Sequence, residues 1–399
     1  MNRTILFTLI FIYSGFVHGQ SWTQLTDFPG TQRDDGCSFT INSKAFCFSG
    51  LEVGWQCTGN GFVFDGGSET WSSMASLPNG KERQYATAFS YNGSGYMLGG
   101  LYCSNACMKD FWQYSVSTNS WTALPDFPGI GRQGMSNFII KNKVYVIGGR
   151  DQSNTTLNEV WEYNFSTTTW SQKNNLPFAG MWRGAAFSID TTGYVCYGMN
   201  SNANSFNHSI YQYDYTIDSW TIVPNITLPA RNYIACAVTN KKACLYGGQD
   251  SLNVITNDVK VFDPSDTSLT TLAGVPTIGR KGTMFFALND VFYISTGLDA
   301  TQSRIKETWK NTAFVGLKEQ TELSVSIFPN PSNDKLCIEL ISSSNATIQL
   351  YNSLGAVVLE SIIATNKTEV NTTLYPDGIY LLSVKTKTGI SSKKIVIHH

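Results

Sequence analysis

Residues 121–149 read WTALPDFPGIGRQGMSNFIIKNKVYVIGG, and they contain a tryptophan, a proline, an arginine and a closing pair of glycines in that order. The same order recurs along the chain with a period of about fifty residues, which indicates a repeat architecture. The tryptophan position is held by Trp22, Trp71, Trp121, Trp170, Trp220 and Leu269. The proline position is held by Pro29, Pro78, Pro128, Pro177, Pro229 and Pro276.

Each unit also contains short apolar runs separated by turn residues, such as VYVIGG at 144–149 and VWEY at 160–163. This pattern predicts four short strands per unit. A sheet of this size cannot bury both of its faces alone, so we expect the units to pack side by side around an axis. We interpret the tryptophans as side chains packed between these units.

The arrangement resembles the kelch repeat over residues 22–314. The resemblance implies an all-β fold, a six-bladed kelch-type β-propeller within residues 20–317. The sixth unit lacks a tryptophan–proline segment after its strand at 307–311, whereas Trp22–Pro29 has that pattern without strands before it. We therefore expect the N-terminal strand to complete the last blade and close the ring.

The pattern changes after a polar linker at 318–323. Four pieces then follow in order: SVSIFPNP from Ser324, YNSLG from Tyr351, LYPDGIY from Leu374 and KKIV from Lys393. They resemble the type A sorting domain of the Bacteroidetes type IX secretion system, which implies a small β-sandwich at 324–399. The resemblance also implies recognition by the secretion machinery, followed by release or attachment at the outer-membrane surface. A sandwich fused for ligand binding is the alternative.

The N-terminus has the features of a signal peptide at residues 1–19. Arg3 precedes an apolar stretch, Ile5–Phe16, and small residues follow near Gly19. A membrane anchor is the weaker alternative, because a spanning helix needs about 20 apolar residues.

Export permits disulfides among the nine cysteines. Cys103 and Cys107 are the nearest pair in one loop, and a metal site is the weaker reading of this C-x-x-x-C spacing. Two further pairs lie on the arms of predicted hairpins: Cys37 with Cys47, and Cys236 with Cys244.

An arginine begins the inner strand of every unit, on the face from which the long connections emerge. These six candidate ligand-binding residues are Arg33, Arg83, Arg132, Arg183, Arg231 and Arg280. A ring of guanidinium groups would bind carboxylates or other anions, whereas the alternative is a structural role with bonds to neighbouring carbonyls. The long loops add three aromatic candidates: Trp55, Tyr102 and Trp182. Aromatic rings beside Asn and Gln side chains suit sugar recognition, and polar loops also serve solubility.

These features predict an exported propeller that binds a glycan or a protein partner through its long-loop face. The net charge of −1 gives no reason to expect a nucleic acid partner. We expect no cofactor and no metal, because four histidines, one of them in the propeller, cannot build a copper centre. The alternative is a metal-independent enzyme for acidic sugars, similar to kelch sialic acid mutarotases or epimerases, with Glu52, Glu82 or Glu159 as acid or base.

Overall fold

The computed structural model describes residues 22–312, 325–340, 346–353, 355–363, 365–386 and 390–399. The chain forms two compact units, Met1–Val315 and Gly316–His399. The predicted signal peptide and the predicted linker lie outside the described residues. Within the described ranges, no helix is long and apolar enough to span a bilayer.

The first unit contains six antiparallel sheets, numbered here as blades 1 to 6. Each blade has four main strands; they follow the chain order from the axis outward in blades 1 to 5, whereas the outermost strand of blade 6 comes from the N-terminus. The strands of blades 1 to 3 are Cys37–Ile41, Lys44–Phe48, Gly61–Asp65, Thr70–Met74; Thr87–Tyr91, Ser94–Leu101, Cys107–Ser115, Ser120–Leu124; and Ser136–Ile140, Lys143–Ile147, Val160–Asn164, Thr169–Lys173. Those of blades 4 to 6 are Ala185–Ile189, Thr192–Cys196, Ile210–Asp214, Ser219–Ile222; Ala235–Thr239, Lys242–Tyr246, Asp258–Asp263, Ser268–Ala273; and Met284–Leu288, Val291–Asp299, Arg304–Asn311, Trp22–Leu25.

The first strands of neighbouring blades contact one another all the way round, including blade 6 with blade 1. The ring is closed by the N-terminal strand, which is the outer strand of blade 6. Trp22 lies opposite Asn311 and Leu25 lies opposite Thr308 in an antiparallel pair. The Trp22 indole also donates a hydrogen bond to the carbonyl oxygen of Ala273 at 2.8 Å, which ties this strand to blade 5. The fold is therefore the six-bladed propeller that the repeat predicts.

A set of two-residue strands lies at the end of the ring where the long loops emerge. Arg33–Asp34 pairs there with Leu51–Glu52, which pairs in turn with Gln56–Cys57. The same kind of pairing recurs in other blades. The remaining short strands are Arg132–Gln133, Arg150–Asp151, Met199–Asn200, Ser205–Phe206, Arg231–Asn232, Gln249–Asp250 and Arg280–Lys281.

The hydrophobic core lies between blades rather than inside them. Trp121 packs in the cluster between blades 1 and 2, and Trp170 packs in the cluster between blades 2 and 3. Trp220 and Leu269 occupy the corresponding places at the next two interfaces. The repeated tryptophans are thus core side chains, as their spacing predicts, because each one covers the edge of the preceding blade.

The second unit is a β-sandwich of a three-stranded and a four-stranded sheet. Its core contains apolar side chains from both sheets, among them Ile338, Ile348 and Val384. The three-stranded sheet consists of Val325–Phe328, Lys335–Leu340 and Lys367–Asn371; the four-stranded sheet consists of Val357–Ile363, Ala346–Tyr351, Gly378–Lys385 and Ile390–Ile397.

The disulfide predictions were wrong. Cys57 bonds to Cys103, so the bridge joins the long loop of blade 1 to that of blade 2. Cys107 is free, and so are the cysteines of the two proposed hairpin pairs. The hairpin pairs fail because Cys37 lies opposite Phe48, whereas Cys47 lies opposite Ser38. A one-residue offset places the two side chains on opposite faces of the sheet, and Cys236 and Cys244 are offset in the same way.

Candidate functional site

Five of the six candidate arginines are tied into the scaffold. Arg83 is fully buried, and its guanidinium binds both carboxylate oxygens of Asp110, at 2.6 and 2.9 Å, and the carbonyl oxygen of Gly99. Arg33, Arg132 and Arg280 are equally buried, and Arg231 is slightly exposed. Their carboxylate partners are Glu52, Glu159, Glu307 and Asp258 respectively. Buried arginines with two or more protein partners have few donors left for a ligand.

Arg183 does not share this register, which corrects the expectation of six equivalent arginines. The carbonyl oxygen of Arg83 accepts a hydrogen bond from Gly50, and that of Arg231 accepts one from Gly198. In blade 4 the corresponding bond, from Gly149, is accepted by Met181. Met181 therefore occupies the scaffold position in blade 4, and Arg183 lies two residues further along the chain.

Arg183 belongs to a ring of six equivalent residues, one from each blade, around the propeller axis. Its backbone has φ = 56°, and the equivalent residue of every other blade is also left-handed. Backbone hydrogen bonds link neighbours in this ring, as from Asp35 N–H to the Gly282 carbonyl oxygen at 2.7 Å and from Tyr85 N–H to the Asp35 carbonyl oxygen at 3.0 Å. We call this set the axial ring: Asp35, Tyr85, Gly134, Arg183, Tyr233 and Gly282.

Side chains of the axial ring meet across the axis in opposite pairs. The Arg183 guanidinium, from blade 4, bonds to the carboxylate of Asp35, from blade 1. The Tyr85 and Tyr233 hydroxyls, from blades 2 and 5, lie 3.5 Å apart. The guanidinium lies 4.6 Å from the Tyr85 ring centroid and 4.1 Å from that of Tyr233, within the range of cation–π attraction. The third pair is Gly134 and Gly282, which have no side chains to fill the axis.

A cavity of about 120 Å³ lies at this point, lined by Asp35, Arg183, Tyr233 and both ring glycines among others. Polar atoms without a protein partner belong to its lining residue Arg183 and to Trp182, which is next to the lining residue Gly134. The Trp182 side chain is 7% exposed, yet its Nε1 has no hydrogen-bond acceptor, and Nε of Arg183 also has none. A Cβ added to Gly134 would lie 2.5 Å from that Nε1, so the glycine leaves the indole room. Unpartnered buried donors beside a cavity are a feature that a bound ligand or water would explain.

Further cationic side chains lie near the axial ring. Arg304 Nε donates to Asp34 at 2.6 Å, and its guanidinium lies 4.9 Å from the ring of Trp55. Lys281 Nζ lies 4.8 Å from the Tyr233 ring, and Arg150 stacks over Trp182 at 4.1 Å. Three of these cations, Arg183, Arg304 and Lys281, interact with the two carboxylates Asp34 and Asp35. The balance favours an anionic ligand.

Burial dominates the electrostatics of these groups. Burial, together with the neighbouring charge of Asp35, raises the pKa of Asp34 to about 7, against the opposing effect of Arg304. Burial also lowers the pKa of Lys281, although the charge of Asp35 opposes this effect. The pKa of the Tyr85 hydroxyl is raised well above its ordinary value, again chiefly by burial. Asp34 is thus a carboxyl group that exchanges protons near neutral pH.

The structure gathers some of the predicted residues at this site and not others. Trp182 lies against the axial ring. Trp55 is 74% exposed and contacts the guanidinium of Arg304, which is itself bound to Asp34 next to the ring. Tyr102 is half-buried on the blade 2 loop beside Cys103 of the disulfide. Of the three glutamates proposed as acid or base, Glu52 and Glu159 are instead bound to scaffold arginines, and Glu82 is not among the residues that line the cavity.

Several site residues escaped the sequence reasoning: Asp34, Asp35, Tyr85, Arg150, Tyr233, Lys281 and Arg304. A spacing signal could have found the axial ring. Each scaffold arginine precedes the closing glycine of its unit by 17 positions, as in Arg83 and Gly100, whereas Arg183 precedes Gly198 by 15. The axial residue is therefore the one two places after each scaffold position.

Two family matches and two relatives agree with this architecture. Residues 127–297 match the family described as "KLHDC2/KLHL20/DRC7 Kelch-repeats domain", and residues 326–398 match "Secretion system C-terminal sorting domain". The Kelch-like protein terF of Aspergillus terreus is 28% identical over 118 residues, which cover 27% of this chain and 26% of that protein. The chain thus spans about a quarter of this relative's length.

A solved structure titled "Structure of YjhT" superposes with a TM-score of 0.60 at 16% identity, and covers 71% of this chain and 96% of that one. At this identity the likeness shows the fold alone. The fold and the repeats define the class of protein: a kelch-repeat β-propeller. The chain is in particular a kelch propeller with a C-terminal type IX secretion sorting domain, which marks it for secretion or for attachment to the outer surface.

Proposed function

We propose that the exported propeller binds a glycan that carries carboxylate groups, at the axial cavity of its long-loop face. The observation that supports this most strongly is the position of Arg183. Five arginines serve the scaffold, and this one alone of the six candidates faces the cavity, between two tyrosine rings. A carboxylate would accept charge-assisted hydrogen bonds from the guanidinium.

The surroundings of Arg183 suit a sugar as well as a carboxylate. Trp182 packs edge-on against Tyr85 and Tyr233 beside Arg183, and its Nε1 has no protein acceptor and is left to donate to a sugar hydroxyl. Trp55 stands further out on a hairpin that the Cys57–Cys103 bridge anchors. It would contact the next sugar of a chain, because its ring is exposed and its support is rigid.

Binding assays with a matched pair of polymers test the proposal. The purified full-length protein is titrated with polygalacturonate and with its methyl ester, which has the same sugar but no charge. We expect binding to polygalacturonate alone, with a loss of at least tenfold in Arg183→Gln and none in Lys109→Gln, which removes an exposed cation from blade 2. Equal binding of both polymers would refute the carboxylate assignment. Failure to bind any glycan would favour a protein partner.

A second candidate function is a metal-independent enzyme that acts on an acidic sugar. Asp34 favours it, because a buried carboxyl group with a pKa of about 7 suits a general acid or base at neutral pH. Proton NMR of galacturonate follows anomeric exchange directly. If the protein is such an enzyme, exchange is accelerated by wild type and not by Asp34→Asn, and the variant still binds the sugar.

A further inference from the structure

Asp35 lines the cavity, and the adjacent Asp34 is also a buried carboxyl group; each of the two is paired with one arginine. Asp34 and Asp35 are both 4% exposed. Asp34 accepts a hydrogen bond from Arg304, and Asp35 is paired with Arg183 across the axis. The two residues are consecutive, so each carboxylate lies in the field of the other. The other titratable groups that act on Asp35 are Tyr85, Tyr233, Lys281 and Cys37.

Arg183 cannot serve an incoming carboxylate and Asp35 equally well. The guanidinium is held between the Tyr85 and Tyr233 rings, so it has little room to turn towards a second partner. Its Nε has no partner and is buried, and its Nη2 is bound to Asp35. A carboxylate that binds the guanidinium bidentately uses Nη2, so it takes the place of Asp35. Asp35 would then be a buried carboxylate without its cation, which is costly unless it is neutralised.

Lys281 and Arg304 cannot replace Arg183 beside Asp35 without losing contacts that they already make. Lys281 already donates to Gln249 Oε1 at 2.5 Å and packs over Tyr233. Arg304 is bound to Asp34 and covered by Trp55. The remaining way to reduce the negative charge is a proton from solvent on the adjacent Asp34, whose pKa the charge of Asp35 raises.

We infer that an anionic ligand binds by exchanging with Asp35 on Arg183, and that the adjacent Asp34 takes up one proton for each carboxylate bound. This inference rests on the proposed function, since it describes how the same cavity accepts its ligand. It makes the affinity dependent on pH even when the ligand's own charge is constant.

The direction of the dependence follows from proton linkage. In the free protein Asp34 gives up its proton near pH 7, whereas with ligand on Arg183 the unpaired charge of Asp35 keeps the proton on Asp34 to higher pH. The association constant therefore falls by about tenfold per pH unit above pH 7. It levels off below about pH 7, where Asp34 already carries the proton.

Isothermal titration calorimetry of the full-length protein with galacturonate tests the inference. Titrations run from pH 5.5 to 8.5, where the carboxylate of galacturonate stays ionised, with neutral galactose as reference. At pH 8, two buffers of different ionisation heat count the protons. We expect about one proton taken up per galacturonate bound at pH 8 and close to none at pH 5.5.

Two substitutions identify the residue that takes up the proton when the ligand binds. Asp34→Asn should bind galacturonate with no proton uptake and a flat pH profile, because the amide imitates the protonated carboxyl. Asp126→Asn, which removes an exposed carboxylate, should retain the wild-type profile. If galacturonate binds wild type with equal affinity at pH 6 and pH 8 and without proton uptake, the exchange is refuted and the site stands. If galacturonate does not bind at any pH, the acidic-ligand assignment fails together with the exchange.

Discussion

Replacement of Arg83 by methionine separates scaffold arginines from a ligand-binding one. The Arg83 side chain is completely buried, and it donates to the carbonyl oxygens of Lys81 and Gly99 as well as to Asp110. Blade 4 shows that methionine is compatible with this position, since Met181 holds it there and is 1% exposed. The main effect of Arg83→Met should therefore be the loss of the ion pair rather than a steric clash.

The magnitude follows from what the substitution leaves behind. Removal of one partner of a buried ion pair destabilises a protein by about 3–5 kcal/mol. Asp110 keeps two donors, Trp112 Nε1 at 2.7 Å and Lys81 Nζ at 3.5 Å. We therefore expect a loss near the lower end of that range, about 3 kcal/mol. A second change, Asp110→Asn, should recover about 1 kcal/mol or more, because the unpaired charge is then absent.

Urea unfolding followed by tryptophan fluorescence measures this loss in the full-length protein. All ten tryptophans lie between Trp22 and Trp309, so the signal reports the propeller and not the sorting domain. At a temperature where the variant is folded, its affinity for polygalacturonate should equal that of wild type. A variant with wild-type stability and no binding would refute the assignment of Arg83 to the scaffold.

Three further perturbations test other parts of the structure. The double variant Cys57→Ser/Cys103→Ser should lose up to about 4 kcal/mol of unfolding free energy, the chain entropy of a loop closed over 46 residues; unchanged urea stability would mean that the bridge does not form in solution. Ionisation of Asp34 should lower the unfolding free energy of wild type by up to about 4 kcal/mol as pH rises from 4 to 8, because its pKa is about 7 in the folded protein and near 3.8 in the unfolded one. Thermal unfolding of Asp34→Asn should lack this part of the pH dependence, and identical profiles for the two proteins would contradict the burial argument. Trp22→Ala should destabilise the propeller by about 3–5 kcal/mol, because Trp22 fills the interface between blades 5 and 6; hydrogen exchange should locate the loss in Arg304–Asn311, and a uniform change would argue against a local closure.

The propeller could be predicted from the sequence because each repeated residue has the same steric role in successive blades. Trp121 and its equivalents fill the same gap between blades, and paired glycines such as Gly148 and Gly149 have positive φ where the chain leaves the second strand. The closing strand was predictable for a related reason: an incomplete unit at each end of the repeat implies that the ends combine.

The disulfide could not be predicted because sequence proximity is a poor guide in a propeller. Cys57 and Cys103 are 46 residues apart, close to one repeat, so they occupy corresponding loops of adjacent blades. Cys37 and Cys47 are much nearer along the chain, yet they point to opposite faces of their hairpin. Pairing therefore depends on register and on which loops lie side by side, and neither is visible in the spacing alone.

The candidate site shows how a symmetric ring acquires a specific function. The scaffold position is arginine in five blades, and its chemistry hardly varies, because every blade must hold its own loop. The axial ring, two residues further on, contains an acid, a base, two tyrosines and two glycines, all with the same left-handed backbone. The backbone ring can tolerate this variety because its hydrogen bonds involve no side chain. Blade 4 places its arginine at the axis and methionine in the scaffold. Ligand specificity should therefore be sought where the repeat departs from its own pattern, at Arg183 and Asp35, and not among the arginines that repeat.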